Sequence, residues 1–392
     1  MPRPPATSTH AAGLSANVYS ALVERARSMP GPIYPLHVGD TWRSPPEGAR
    51  AEDQREAEFP RLHAYAPVTG EPELVEAVRE HLRARHGLAL APEQLQIMPG
   101  ATGGLTTVLT ALLDPGDELL LPSPFWPLIR GIAAARGCRV VEVPFFTRLG
   151  TPGFDPEAAL ERAVTPRTAA VYVNDPHNPT GRVLDDDTVA AIARVARRHD
   201  LWVVADAAYE DLRYGEARPP PWLRPELVER TIVSGTVSKS HAMAGARVGW
   251  SFGPEAPMRA VRGVQTFQHY CAARPMQRAA ARALRMGEGW LAGLRREYAA
   301  AGAAAAAALG LPAPQGGTFL FADATPWLRP GEALQGFLER CLEAGVLLTP
   351  GLAAGQDFGS WVRLCFTAVP PGDLAQALRR LQPVLASGPG GP

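Results

Sequence analysis

Lysine is almost missing from this sequence. Of 39 basic side chains in 392 residues, Lys239 is the one lysine and the other 38 are arginine. That rules out a Walker A loop, which needs lysine directly after glycine, whereas Lys239 follows Ser238. Cysteine is sparse too. Cys138, Cys271, Cys341 and Cys365 are scattered with no C-x-x-C pair. This argues against a zinc site or disulfide frame and for reduced thiols in a cytoplasmic protein. No G-x-G-x-x-G occurs, which removes the usual fingerprint of a nicotinamide enzyme, and no H-E-x-x-H occurs. Formal net charge is zero, so neither nucleic acid nor an anionic membrane finds an excess of cation. No apolar run reaches bilayer length. The segment Met1–Ser8, rich in Pro, Ser and Thr, lacks the apolar core of a signal peptide.

What is present fits a globular chain, 46% hydrophobic and 20% charged, with room for a large and a smaller core. A helical pattern covers Leu14–Arg27, an extended piece covers Ile33–Asp40, and Glu71–Arg85 is an amphipathic helix. Short apolar runs follow at Glu118–Leu121, Val140–Val143, Ala169–Val173, Leu201–Ala205, Thr231–Val233 and Val248–Phe252. Helical patterns at Gly103–Leu113, Leu128–Arg136, Pro156–Val164 and Asp185–His199 separate most of them. Such alternation predicts an α/β fold, a mostly parallel sheet flanked by helices on both faces. Beyond residue 275 the spacing changes. It predicts one long helix Met276–Leu309, a strand Thr318–Phe321, a helix Gly331–Glu343, strands Gly345–Leu348 and Trp361–Phe366, a helix Asp373–Leu385, and a disordered tail Ala386–Pro392. The expected organisation is a large domain over 46–275 and a smaller α+β domain from 1–45 and 276–392.

A lone lysine against an arginine background suggests chemistry that guanidinium cannot perform. A lysine amine can lose its proton and form a Schiff base. Other stretches carry chemical groups as well. Pro99–Gly104 places small residues before a helix, where free N–H groups can face an anion. Asp175-Pro-His-Asn178-Pro-Thr-Gly181 follows an apolar strand, at the edge where such sheets bind ligands. Asp206 follows another buried strand, where a carboxylate needs a partner or serves as a helix cap. Arg247 lies eight residues beyond Lys239, and Arg363 is a charge inside an apolar strand.

In that order, Asn-Pro-x-Gly, Asp-x-x-Tyr, Ser-Lys with an arginine eight later, and a late strand arginine resemble the fold-type I, pyridoxal-phosphate-dependent aminotransferases of classes I and II. The resemblance runs from Leu36 to Phe366. It implies that Lys239 holds pyridoxal 5'-phosphate as a Schiff base and later shuttles the substrate proton. Asp206 would pair with the ring nitrogen, and Asn178 and Tyr209 with the ring hydroxyl. Ala101, Thr102, Thr236, Ser238 and Arg247 would hold the phosphate. Trp126 would stack on the ring, while Arg363, with Gly39 nearby, would bind the substrate α-carboxylate. Tyr65 matches a tyrosine that reaches the phosphate of a neighbouring subunit, which implies a homodimer with shared sites. No metal is implied. The substrates implied are an amino acid and a 2-oxo acid.

The sequence departs from the family pattern in several places. Ala207 lacks the acid often second in the Asp206–Tyr209 stretch, and Ala246 precedes the arginine where tryptophan is frequent. Ala353–Gly359 is altered, and Gly103 stands where glutamine is common. The last two leave substrate identity open. Arg43, Arg274 and His37 are the residues that could face a substrate side chain, with solvated positions as the alternative. Another reaction on the same cofactor (elimination, cyclisation or decarboxylation) and a non-catalytic ligand sensor are the competing functions.

Overall fold

The computed structural model describes residues 5–14, 22–215 and 219–388. Its main sheet has seven strands: β1 (Leu95–Met98), β2 (Glu118–Ser123), β3 (Arg139–Pro144), β4 (Thr168–Asn174), β5 (Trp202–Asp206), β6 (Thr231–Thr236) and β7 (Gly249–Phe252). Their spatial order is β1-β7-β6-β5-β4-β2-β3. All pairs are parallel except the two made by β7. A second sheet of order β8-β10-β9 contains β8 (Phe319–Asp323), β9 (Thr349–Pro350) and β10 (Trp361–Cys365). The expected α/β architecture is therefore present. The helices are α1 (Thr9–Ala12), α2 (Val23–Ser28), α3 (Pro72–His86), α4 (Gly100–Leu112), α5 (Pro127–Ala135), α6 (Pro156–Glu161) and α7 (Asp186–Arg198). They continue with α8 (Glu255–Gln268), α9 (Arg274–Arg285), α10 (Gly287–Ala308), α11 (Leu334–Glu343) and α12 (Pro371–Leu385).

The apolar strand runs follow from burial on both faces. Along the strands successive side chains enter opposite cores. Leu119, Leu121, Tyr172 and Val204 pack with Leu105, Val108 and Leu109 of α4. Leu120, Val171, Val173 and Val203 pack with Val189, Ile192 and Val195 of α7 on the other side. Each such buried side chain contributes about 1.5–3 kcal/mol. The Asp185 carboxylate accepts from Thr188 N at 2.7 Å and caps α7, whose last turn carries Arg197 and Arg198 opposite its dipole. A separate core joins Tyr34 and Leu36 to Leu320, Phe337, Leu364 and Leu381, so the early extended segment packs with the C-terminal sheet.

Several sequence expectations are corrected. The single helix Met276–Leu309 is two helices, α9 and α10, broken where Gly287 takes φ +61°. Helix α8 was not foreseen at all. Segment Gly345–Leu348 is not a strand: Val346 makes one bridge to Tyr34, and the paired residues are Thr349 and Pro350. The tail is ordered through Gly388, where Arg340 donates to Ser387 Oγ at 2.7 Å and Gly388 lies against Trp327. Residues 389–392 and the 15–21 part of the expected helix Leu14–Arg27 lie outside the described residues. No helix among the described residues is long and apolar enough to cross a membrane.

Candidate active site

Register brings the chemical groups to one edge of the main sheet. Asn174 of β4 pairs with Asp206 of β5, and Asp206 with Ser234 of β6. Gly249 pairs with both Thr236 of β6 and Met98 of β1. Thus the 175–181 loop, Asp206, the Thr236–Lys239 turn and the start of α4 leave the sheet together. The cavity they form is closed by Val38 and Gly39 of the early extended segment and by Phe319 of the second core.

Lys239 follows β6 in a tight turn, and its Nζ donates to the Gly39 carbonyl oxygen. Burial lowers its pKa, with Arg247 and Arg363 adding to the fall and Cys365 and Asp40 opposing it. Only glycine fits at position 39, because a Cβ there would lie 2.5 Å from the Phe319 ring. Asp206 ends β5 and is buried. Its carboxylate accepts from Tyr172 Oη at 2.6 Å and Ala208 N at 3.0 Å. Burial raises its pKa, against the pull of those two donors and of Lys239. No helix begins beside it, so the capping alternative fails.

Opposite Asp206 lies a cradle for an anion. Helix α4 opens with Gly100, Ala101 and Thr102, whose N–H groups have no partner within the helix. The Arg247 guanidinium crosses this end so closely that a Cβ on Gly100 would lie 2.6 Å from Nη2. Thr236 Oγ1 and Ser238 Oγ are 2.8 Å apart at the same cavity. Asn178 Nδ2 donates to Tyr209 Oη at 3.4 Å, and Asn178 Oδ1 accepts from Arg363 Nη1 at 3.1 Å. Arg363, on β10, also donates to the His37 carbonyl at 3.1 Å and lies 4.3 Å over the Phe319 ring. Trp126 lines the cavity just before α5.

The residues expected from sequence thus converge, with one exception. Tyr65 does not reach the cavity of its own chain. It is 81% exposed and meets Tyr270 edge-on at 5.0 Å. Of the three residues weighed for the side chain, none lines the cavity. Arg43 is held by Glu297, and Arg274 by Glu71 at 2.8 Å and the Arg61 carbonyl. His37 has its pKa lowered to about 4 by burial and by Arg363, so its ring is neutral at physiological pH. Sequence reasoning missed Tyr172, Phe319, Val38, Leu128 and Leu105. A tyrosine amid the Ala and Val of β4 was the one available signal.

A lone amine, a buried carboxylate and an anion cradle thus surround one cavity. The sequence profile of the family "Aminotransferase class I and II" matches residues 34–381. This chain belongs to that family. It is 36% identical to an aspartate/prephenate aminotransferase of Thermus thermophilus, over 82% of this chain and 83% of the relative. It is 33% identical to an arginine–pyruvate transaminase of Pseudomonas aeruginosa, over 76% and 77%. A valine–pyruvate aminotransferase of Mycobacterium tuberculosis is 30% identical over 93% and 94%. Among solved structures, a Thermus thermophilus aspartate aminotransferase mutant superposes with a TM-score of 0.87 at 31% identity, covering 97% of this chain and 100% of that one. The chain is an aminotransferase, a transferase enzyme.

Proposed function

We propose that this aminotransferase works with pyridoxal 5'-phosphate held covalently through Lys239 Nζ. One observation carries this reading. The chain's sole lysine faces a cavity that has a buried carboxylate on one side and a helix start with Arg247 on the other. The residues fit the cofactor: its phosphate matches the start of α4, Arg247, Thr236 and Ser238, and its protonated ring nitrogen matches the Asp206 carboxylate. When bound there, the cofactor supplies an aldehyde carbon that exchanges amines and a ring that accepts electron density.

The chain's own groups do the remainder. Asp206, locked by Tyr172 and Ala208, would hold a proton on the ring nitrogen, and its costly burial would then become an ion pair. Asn178 and Tyr209 would hold the ring hydroxyl, and Trp126, which lines the same cavity, would pack against the ring. Arg363 fixes the α-carboxylate of the incoming amino acid. That places the substrate Cα proton near Lys239 Nζ. Once the incoming amino group has displaced it from the cofactor, Lys239 Nζ, with its pKa lowered by burial, would take that proton and deliver it again. A 2-oxo acid then receives the amino group in a second half-reaction, so the kinetics are ping-pong.

The same reading assigns a homodimer. Tyr65, Phe267 and Tyr270 are 81%, 93% and 46% exposed, an aromatic group suited to a second copy, from which Tyr65 would reach the neighbouring phosphate. It divides the chain into a large domain, proposed over 46–275, and a smaller one from both ends; the packing of Leu36 with the C-terminal core supports the smaller unit, while α9 beyond 275 packs with α3 of the large one. Four free cysteines fit a reducing cytoplasm. The test is chemical. Purified protein should be yellow, and borohydride should fix the cofactor mass on the peptide holding Lys239. A reduced adduct on no peptide, or unimpaired turnover in Lys239→Arg, refutes the proposal.

A further inference from the structure

We infer that Tyr172 is a positioning residue for amino transfer, whose hydroxyl keeps the Asp206 carboxylate ionised and aimed at the cofactor's ring nitrogen. This rests on the cofactor reading above and adds to it the place of the shared proton.

Strand register explains why a tyrosine stands at this position. β4 and β5 are parallel neighbours, with Tyr172 opposite Val204 and Asn174 opposite Asp206. Residues two apart share a face of the sheet, so Tyr172 and Asp206 lie on the same side. That side is the core where Tyr172 and Val204 meet Leu105 and Val108 of α4. Asp206 is two residues further along, about 6.6 Å. A long, rigid side chain leaning along the strand spans that step. The phenol does so, and its Oη donates to Asp206 Oδ2 at 2.6 Å. Both residues are buried, and a buried hydroxyl without a partner is costly. Asp206 is that partner.

The carboxylate is fixed on both oxygens. Oδ2 accepts from the phenol and Oδ1 from Ala208 N at 3.0 Å. Two donors on different oxygens stop the group from turning, while Asp206 still lines the cavity. The amide belongs to the chain just past Asp206. The phenol reaches in from another strand, so it can be removed alone. Burial raises the Asp206 pKa, and the Tyr172 hydrogen bond leads the opposing influences, ahead of Ala208 and Lys239. Burial, joined by the charge of Asp206 and by nearby Tyr209, holds the Tyr172 pKa well above its ordinary value. The phenol therefore keeps its proton and remains the donor. A carboxylate that already accepts a strong hydrogen bond is a weaker base. A proton shared between Asp206 and the ring nitrogen then stays on nitrogen. Without the phenol it moves towards Asp206, and the pull on the substrate Cα bond weakens.

The test compares the parent holoenzyme with Tyr172→Phe. Each is reconstituted with pyridoxal phosphate isotopically labelled at the ring nitrogen and read by NMR. The parent should show a protonated ring nitrogen. In Tyr172→Phe the resonance should move towards that of unprotonated pyridine. Its kcat should fall at least about tenfold, with KM for the amino donor within about twofold, for loss of one hydrogen bond to a charged group. A tyrosine fluorinated beside its hydroxyl, placed at position 172, is a stronger donor and should shift the resonance the opposite way. It decides the matter alone if Tyr172→Phe does not fold. A merely structural hydroxyl would leave the nitrogen signal in place, so an unmoved resonance in the folded variants overturns the inference whatever kcat does. A moved resonance with unchanged kcat in Tyr172→Phe overturns it as well. Borohydride labelling of Lys239 keeps the two readings apart. A labelled parent with an unmoved resonance sinks only the role of Tyr172, and an unlabelled parent sinks both.

Discussion

Asp206 is deprived of water and given one hydroxyl and one amide in return, so its charge is held at a cost until a cation arrives. Asp206→Asn keeps the shape but removes that charge. Turnover should fall by about 10²–10³-fold while the unfolding curve is unchanged. Equal kcat would make the residue a structural fixture. Arg363→Ala should lower kcat/KM for every amino donor by about 2–5 kcal/mol of transition-state binding, measured by steady-state kinetics. His241 offers a test by pH. It is buried, and burial lowers its pKa to about 4, with His81 and Arg85 adding to the fall and Asp211 opposing it. The unfolded chain takes this proton near pH 6.5 and the folded one does not. Stability from neutral His241 is therefore full above 6.5 and lost as pH falls towards 4, roughly 3 kcal/mol in all. Urea titrations from pH 7 to 4.5 should show a shallower pH slope for His241→Gln than for the parent chain. Lys239, Asp206 and Asn178 were legible in the sequence because their spacing after apolar strands is itself the signal. Tyr172 and Phe319 were not. Both are ordinary core residue types, and their roles depend on strand register and on a contact between distant segments.

At the level of elements, the alternation of apolar runs and helical patterns marked six of the seven strands, since strands buried on both faces carry no competing period; β1 (Leu95–Met98) was not among those runs. The join between α9 and α10 was invisible. Helix formers continue on both sides of it, and Gly287 alone does not announce a break. Helix α9 faces its alanines into the core shared with α3, including Ala279, Ala280 and Ala283. Helix α10 sends Leu294 and Tyr298 into the other core. The left-handed glycine is what turns one into the other. Open space surrounds its missing Cβ, so Gly287→Ala meets only backbone strain. It should cost about 1–2 kcal/mol in denaturant stability, with kcat unchanged. A larger loss would mean that the turn itself carries packing.

As a whole molecule, the chain leaves Tyr65, Phe267 and Tyr270 on its surface while its cavity lacks the tyrosine that the family pattern supplies. Light scattering should give twice the 41.8 kDa chain mass. Mixing inactive Lys239→Ala with an inactive Tyr65 variant should restore part of the activity after subunit exchange, because one site of the mixed dimer is intact. A fully active monomer would refute shared sites. The near absence of lysine has a practical consequence. All 38 other basic side chains are guanidinium groups, which keep their protons at any pH the fold survives. Apart from a chain-terminal amine, a reagent that is read out as a stable amide or as a borohydride-reduced imine therefore finds a single side-chain amine, and that amine lies inside the cavity. Its labelling rate would report directly whether the cavity is filled, making the protein its own gauge of cofactor occupancy.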